Sequence, residues 1–265
     1  LWRDELRIAL TPEALAWVRY RRGFSRRVPE TGVLRLPAQT EAPPWQPAVD
    51  ALAQVLDAAG RAQAAVVLSN HFTRYLVLPR NADIAGASEW DEFACHRFAA
   101  AYGAAARGWS LRLSASGAEA PRVASAVDAA LLAQLREVFA RKHVPLASIQ
   151  PNLMVSFNRF RARFEGKSAW FVSHEPGRLS LGLLWQGAWH TIRNRRAGAN
   201  WQAELAGLID RENQLAGLDQ PCADVLLDAV NTDLPAKLGA YTLGNLRRES
   251  SAPIAADPAL ALILN

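Results

Sequence analysis

The residues best suited to chemistry in this chain are five histidines, two cysteines and several clusters of arginine. His71, His96, His143, His174 and His190 stand at no metal-ligand spacing to another His, Cys or carboxylate. Neither a GxSxG nucleophile elbow nor a phosphate-binding GxxxxGK[ST] loop occurs. His174-Glu175 has the residue types for acid–base work, but neighbours on a strand point to opposite faces. Pro176-Gly177 follows at once and makes the pair part of a turn. Ser69-Asn70-His71 ends an apolar strand, where α/β proteins bind ligands; polar capping of the strand end is the favoured account. Arginines cluster at 19, 21, 22, 26 and 27, at 159, 161 and 163, and at 193, 195 and 196. Their charge suits nucleic acid or anionic lipid, yet no recognition motif accompanies them, and solvated strand faces are the favoured account.

The chain must position those residues with 265 amino acids, half of them hydrophobic. That is enough for one large domain or two closely joined lobes. No apolar run reaches the roughly 18 residues that a membrane span requires. The opening LWRDELRIAL carries charges where a signal peptide would be apolar, which points away from secretion. Cys95 and Cys222 both fall in regular structure and are expected to be buried thiols of a cytosolic protein. Thr40–Pro44 and Glu249–Asp257 are the expected flexible stretches.

Periodicity yields one layout twice. Leu6–Leu10, a turn at Thr11-Pro12-Glu13, a strand at Ala14–Tyr20 and another at Phe24–Val28 form a meander, with Gly32–Leu36 extended after it. A helix with Val49, Leu52, Ala53 and Leu56 on one face follows, then the doubly buried strand AAVVLS from Ala64. The second copy is Ala169–Ser173, Leu179–Trp185 and Ala188–Arg193, then a helix carrying Trp201, Leu205, Leu208 and Ile209, then DVLLDAV from Asp224. Between them lie a strand at Arg74–Pro79, a helix opened by a Ser88-Glu89-Trp90-Asp91 capping box, and strands at Trp109–Ser114 and Arg122–Ala126. Asp128 caps a helix with the stripe Leu131, Leu132, Leu135, Val138 and Phe139. Ala147–Gln150 is extended, and a helix begun by Pro151 aligns Leu153, Phe157, Phe160 and Phe164.

The meander RIALTPEALAWVRYRRG, the segment AVVLSNHFTRYLVLP, the helix start SEWDEF and the run SIQPNLMVSFNRF leading to SAWFVSHEPGRLSLGLLWQGAWHTIRNRRAG resemble the PilM and GspL group of the actin-like superfamily. The resemblance covers nearly the whole chain. It implies an α/β fold of two RNase H-like (actin-like) lobes with an inserted α/β subdomain of the type called 1C. The first lobe would comprise 1–73 and 145–167, the insertion 74–144, and the second lobe 168–265. It also implies a cytoplasmic component, peripheral to the inner membrane, of a type IV pilus or type II secretion assembly platform. Its partner would be the cytoplasmic tail of a PilN-like membrane protein, received by Leu76, Val77, Leu78, Phe93 and Leu153.

Nucleotide-binding members of that group use two Asp-and-Gly hairpin turns and a Gly-Gly segment. At the matching positions this chain has Thr11, Pro12 and Glu13, then Ser173, Glu175 and Gly177, and finally Asp228-Ala229-Val230. The departures imply a pseudo-ATPase scaffold without cofactor or metal. Arg178, Arg195 or Arg196 could still supply charge for weak, metal-independent anion binding. The alternative is an actin-fold ATPase or sugar-kinase-like enzyme with non-standard site residues. Nucleic-acid binding on an RNase H-like lobe is weaker still, because that chemistry gathers several carboxylates around metal ions and the first turn offers only Glu13.

Overall fold

The computed structural model describes residues 4–21, 28–37, 43–60, 62–115, 120–218, 220–230, 235–247 and 257–264. In chain order it contains β1 (Glu5–Leu10), β2 (Ala14–Tyr20), β3 (Glu30–Arg35), α1 (Gln46–Asp57) and β4 (Gln63–Leu68). Next come β5 (Thr73–Leu78), α2 (Ala87–Tyr102), β6 (Trp109–Leu113), β7 (Arg122–Asp128), α3 (Ala129–Arg141), β8 (Leu146–Pro151) and α4 (Asn152–Phe160). The remainder is β9 (Ala169–Glu175), β10 (Arg178–Trp185), β11 (Ala188–Arg196), α5 (Trp201–Ala216), β12 (Asp224–Asp228), β13 (Lys237–Leu238), β14 (Tyr241–Asn245) and α6 (Pro258–Ala261).

Two sheets repeat one topology. The first is ordered β3-β2-β1-β4-β8, and the second β11-β10-β9-β12-β14-β13. In each, an antiparallel meander places its first strand beside a parallel strand that follows a helix: β1 with β4, and β9 with β12. Parallel neighbours need such a crossover, and the helix then covers one face. The third strand of the first meander is β3, paired with β2 in the register Trp17↔Gly32. The strand expected at Phe24–Val28 lies outside the described residues except Val28, which is exposed and not in a strand. Arg22, Arg26, Arg27 and most of the two expected flexible stretches also lie outside them. Both meanders lay a tryptophan over a glycine. A Cβ on Gly32 would stand 2.1 Å from the Trp17 ring, and one on Gly182 2.3 Å from Trp189.

By contacts the chain forms two compact units, 1–73 with 127–155 and 252–265, and 74–126 with 156–251. The core of the first contains Ile8, Leu10, Leu15, Leu52, Leu56, Val66 and Leu68 together with Leu131, Leu135, Val138 and Phe139 of α3. Helix α3 was expected inside the insertion at 74–144; its apolar stripe instead meets α1 over the first sheet. The other face of that sheet is small and apolar (Ala9, Ala14, Ala16, Val18), and Ala259, Leu262 and Ile263 cover it. The C-terminal segment therefore belongs with the first sheet rather than the second. Asp257 holds it there, capping Ala259 N–H (2.8 Å) and pairing with Arg35.

The inserted layer is the sheet β5-β7-β6 with α2, around Leu78, Trp90, Ala94, Phe98 and Ala126. Helix α2 starts two residues earlier than the Ser88 capping box implies. Gly86 is its N-cap, and Glu89 accepts N–H groups from Ala85 (2.8 Å) and Gly86 (3.2 Å), which holds its carboxyl below the usual range. Cys95, on the open side of α2, is exposed; Cys222 is buried as expected.

The second sheet packs Trp170, Leu179, Leu181 and Leu183 against Trp201, Leu205 and Ile209 of α5. A buried polar knot is set into this core. Asn213 Oδ1 accepts from Trp170 Nε1 (3.1 Å) and Cys222 N–H (3.3 Å), and Asn213 Nδ2 donates to the Tyr241 hydroxyl (3.2 Å). The Tyr241 hydroxyl donates to Asp210 (2.5 Å), and burial, with that bond, pushes its pKa up to about 12. His174 stacks on Trp201, with ring centroids 4.3 Å apart, and burial pushes its pKa down to about 4.

Two stability measurements follow. Asn213→Ala strands the Trp170 and Cys222 donors in the core and should lower the urea-unfolding free energy by about 2–4 kcal/mol, a donor left unpaired costing about 1–3. A loss under about 0.5 kcal/mol would show that the knot is not structural. His174 is the pH-dependent element. A base whose folded pKa lies below its unfolded value of about 6.5 leaves the unfolded chain binding more protons between those values. The stability it permits is complete above about pH 6.5 and falls as pH drops towards 4. His174→Phe keeps the stack and should flatten the stability profile in that window; an unchanged profile would contradict the assignment.

Candidate functional site

The first turn, between β1 and β2, is closed upon itself. Thr11 N–H donates to the Ala14 carbonyl (3.0 Å), and the Thr11 hydroxyl donates to the same oxygen (2.9 Å). Ala14 N–H in turn donates to Thr11 Oγ1 (2.9 Å). Pro12 has no N–H, and the Glu13 carbonyl is bonded to Leu36 N–H (2.9 Å). A phosphate at this turn would meet engaged donors, a pyrrolidine ring and the exposed Glu13 carboxylate.

The strand end beside it is a capping arrangement. Ser69 N–H donates to the Leu10 carbonyl (2.9 Å), His71 N–H donates to Ser69 Oγ (3.1 Å), and Asn70 Oδ1 accepts Leu153 N–H (3.1 Å) at the start of α4. Ser69-Asn70-His71 thus ties β4 to the first turn and to a helix N-terminus, where free N–H groups need partners.

The second turn is Glu175-Pro176-Gly177-Arg178. Gly177 has φ of +74° after a proline, the pattern of a type II turn, which favours glycine at that position. Its carbonyl accepts Ala197 N–H (3.1 Å). Ser173 is buried and paired with Ser180 across β9–β10, and with Asp228 across β9–β12. Asn194 completes the row opposite Ser180, whose hydroxyl donates to it (2.5 Å). A polar row therefore crosses four strands.

Asp228 is the one carboxylate in this row, and its oxygens are taken. It is 3% exposed, accepts the Ser156 hydroxyl from α4, and pairs with Arg247. A magnesium ion needs oxygen ligands free to bind it or its waters. Ser173 supplies a hydroxyl, Asp228 is held by a guanidinium, and Pro176 removes a donor from the turn. The residues present do not fit a magnesium nucleotide at either turn. Among the described residues, no three His, Cys, Asp or Glu side chains gather in a way that could hold a metal ion. His174 and Glu175 are separated by the pleat: the imidazole faces Trp201, and Glu175 stands opposite Arg178 in the neighbouring strand.

Four of the clustered arginines are held in internal ion pairs. Arg19 bonds Asp4 (2.9 Å) and the Ala58 carbonyl (3.1 Å), and Arg21 pairs with Glu30 (2.5 Å). Arg193 (3.3 Å) and Arg195 both grip Glu212, a carboxylate 1% exposed. Arg195 is thereby withdrawn from the expected set of compensating charges. The expected partner-contact residues divide by depth. Leu78 and Leu153 are 0% exposed core residues, so neither offers surface to a partner. Leu76, Val77 and Phe93 are half-buried on the inserted layer. The Ser156–Asp228–Arg247 contact and the Glu212 clamp were not foreseen; each joins residues distant in sequence without a shared motif.

No protein-family model and no curated protein sequence matches the chain. Solved structures do. A Bacteroides thetaiotaomicron protein of actin-like ATPase fold and unknown function is 8% identical, with 87% of this chain and 84% of that one covered and a TM-score of 0.57. The cytoplasmic domain of EpsL, an inner membrane component of the type II secretion system of Vibrio cholerae, is 10% identical, with 98% and 92% covered and a TM-score of 0.57. A chain of the PilM–PilN type IV pilus biogenesis complex is 14% identical, with 84% and 80% covered and a TM-score of 0.59. At such identities the likeness lies in the fold. With its two meander–helix–strand sheets and an inserted layer, the chain is an α/β protein of the actin-like fold.

Proposed function

We propose that this protein is a non-enzymatic adaptor of a pilus or type II secretion assembly platform, lying in the cytoplasm against the inner membrane through its partner. The observation that carries the reading is the coverage of the fold likeness. It takes in nearly all of both chains for the EpsL cytoplasmic domain, and four-fifths or more of both for the PilM–PilN complex. Actin-like enzymes work through a bound magnesium nucleotide, and the engaged first turn and the Arg247-bound Asp228 support a scaffold over an ATPase or sugar kinase. No helix among the described residues is long and apolar enough to cross a membrane.

The partner is the cytoplasmic tail of a PilN-like membrane protein. The edge strand β5, with Leu76 on the α2 side near Phe93 and Val77 on the opposite side, is its contact surface, because these are the named residues that keep exposed apolar area. Titration of the full chain with a peptide of that tail should give a Kd below about 100 µM, about 5.5 kcal/mol of binding free energy. Val77→Glu should weaken it at least about tenfold, some 1.4 kcal/mol, with the melting temperature unchanged. Absence of binding at that concentration would overturn the adaptor reading.

A further inference from the structure

The inserted layer carries two guanidinium groups without an internal counter-ion, both in the neighbourhood of Phe93. Arg122, at the start of β7, is half-buried and holds its guanidinium over the Trp90 ring, 4.7 Å from the centroid. Trp90 meets Phe93 edge to face, with ring centroids 5.9 Å apart. Arg97 is exposed one turn beyond Phe93 on α2, and residues four apart share a helix face. Neither arginine makes a hydrogen bond or ion pair with a described residue, and Arg122 Nε is enclosed without a partner.

A contact with the Trp90 ring answers part of the charge of Arg122, but a guanidinium has five N–H donors and gains no oxygen from it. The carboxylate on the Phe93 side of α2 is Glu89, four residues earlier, and it is engaged at the helix start by the N–H groups of Ala85 (2.8 Å) and Gly86 (3.2 Å). Leu76, Ile84 and Phe93 pack against the same cluster as Trp90. A segment lying on them takes water away from Arg122. A cation desolvated in that way opposes binding unless the incoming chain brings an anion to it.

We propose that Arg122, seconded by Arg97, selects the partner's tail by a carboxylate: the segment on Leu76 and Phe93 carries an aspartate or glutamate among its apolar residues, and Arg122 receives it. The inference rests on the adaptor reading and adds the chemistry by which that surface chooses its tail. A guanidinium donates in parallel to both oxygens of a carboxylate, which fixes the register of the bound chain as well as its charge. An extended protein segment suits the place better than an anionic lipid surface. The neighbouring β5 is an edge strand, whose free N–H and C=O groups a peptide can pair and a bilayer cannot.

Calorimetric titration of the full chain compares the tail peptide with the same peptide after every Asp and Glu is replaced by Asn or Gln. The amide peptide should bind at least about tenfold more weakly. Arg122→Met keeps an apolar stem beside Trp90 and should bind both peptides alike, at the weaker level; Arg97→Met should narrow the difference between them. Arg122→Lys keeps the charge without the planar fork and should retain part of the preference, which decides the matter if Arg122→Met melts early. Arg136→Met removes an exposed charge from α3 and should change nothing. Equal affinity for the two peptides, tight binding by a tail that has no Asp or Glu, or an Arg136→Met loss equal to the others would each overturn the inference and leave the adaptor. No binding of either peptide at about 100 µM would remove both. Equal peptide affinities together with phosphatidylglycerol vesicles that bind the native chain but neither Met variant at 97 or 122 would assign the two charges to a lipid surface instead.

Discussion

The structure depends on the parallel pairing of a meander's first strand with the strand that returns after a helix. In the first sheet it sets Leu10 beside Leu68, and in the second Ser173 beside Asp228. Because the paired strands run the same way, a hairpin turn and a strand end emerge at one edge of each sheet. An α/β sheet binds ligands at such edges, so the topology alone creates two places where phosphate chemistry could sit. What sits there is decided by a handful of side chains and by which backbone donors remain available.

At both places the chain fills those positions from within. Thr11 folds its hydroxyl back on the turn, so that the N–H groups of residues 11 and 14 are engaged and Pro12 has none to give. At the second edge Arg247 and Ser156 occupy the oxygens of Asp228. A buried carboxylate needs such partners whatever the function, since an unpaired charge in the core is strongly destabilising. The same contact therefore stabilises the second sheet and removes its only candidate metal ligand in the row.

Much of the architecture was legible in sequence because it rests on periodicity. AAVVLS and DVLLDAV read as doubly buried strands and are β4 and β12, each the parallel neighbour of a meander's first strand. The stripe at Leu131, Leu135 and Val138 read correctly as a helix, but a stripe records only that a face is buried, never which sheet buries it, so α3 was assigned to the wrong layer. Sequence order alone likewise puts the C-terminal run with the second lobe, whereas it packs on the first sheet, from a helix whose start at Asp257-Pro258 is readable. At the site, proline and threonine in the first turn were legible as losses of donors. The Asp228–Arg247 relation was not, because strand register makes it over a distance that local pattern does not encode.

The central proposal is that this actin-like fold works without a magnesium nucleotide at its turns. Calorimetric titration of the intact chain with Mg-ATP tests it most directly. The account predicts no magnesium-dependent heat of binding up to millimolar nucleotide. A micromolar affinity that disappears when EDTA is added would contradict it.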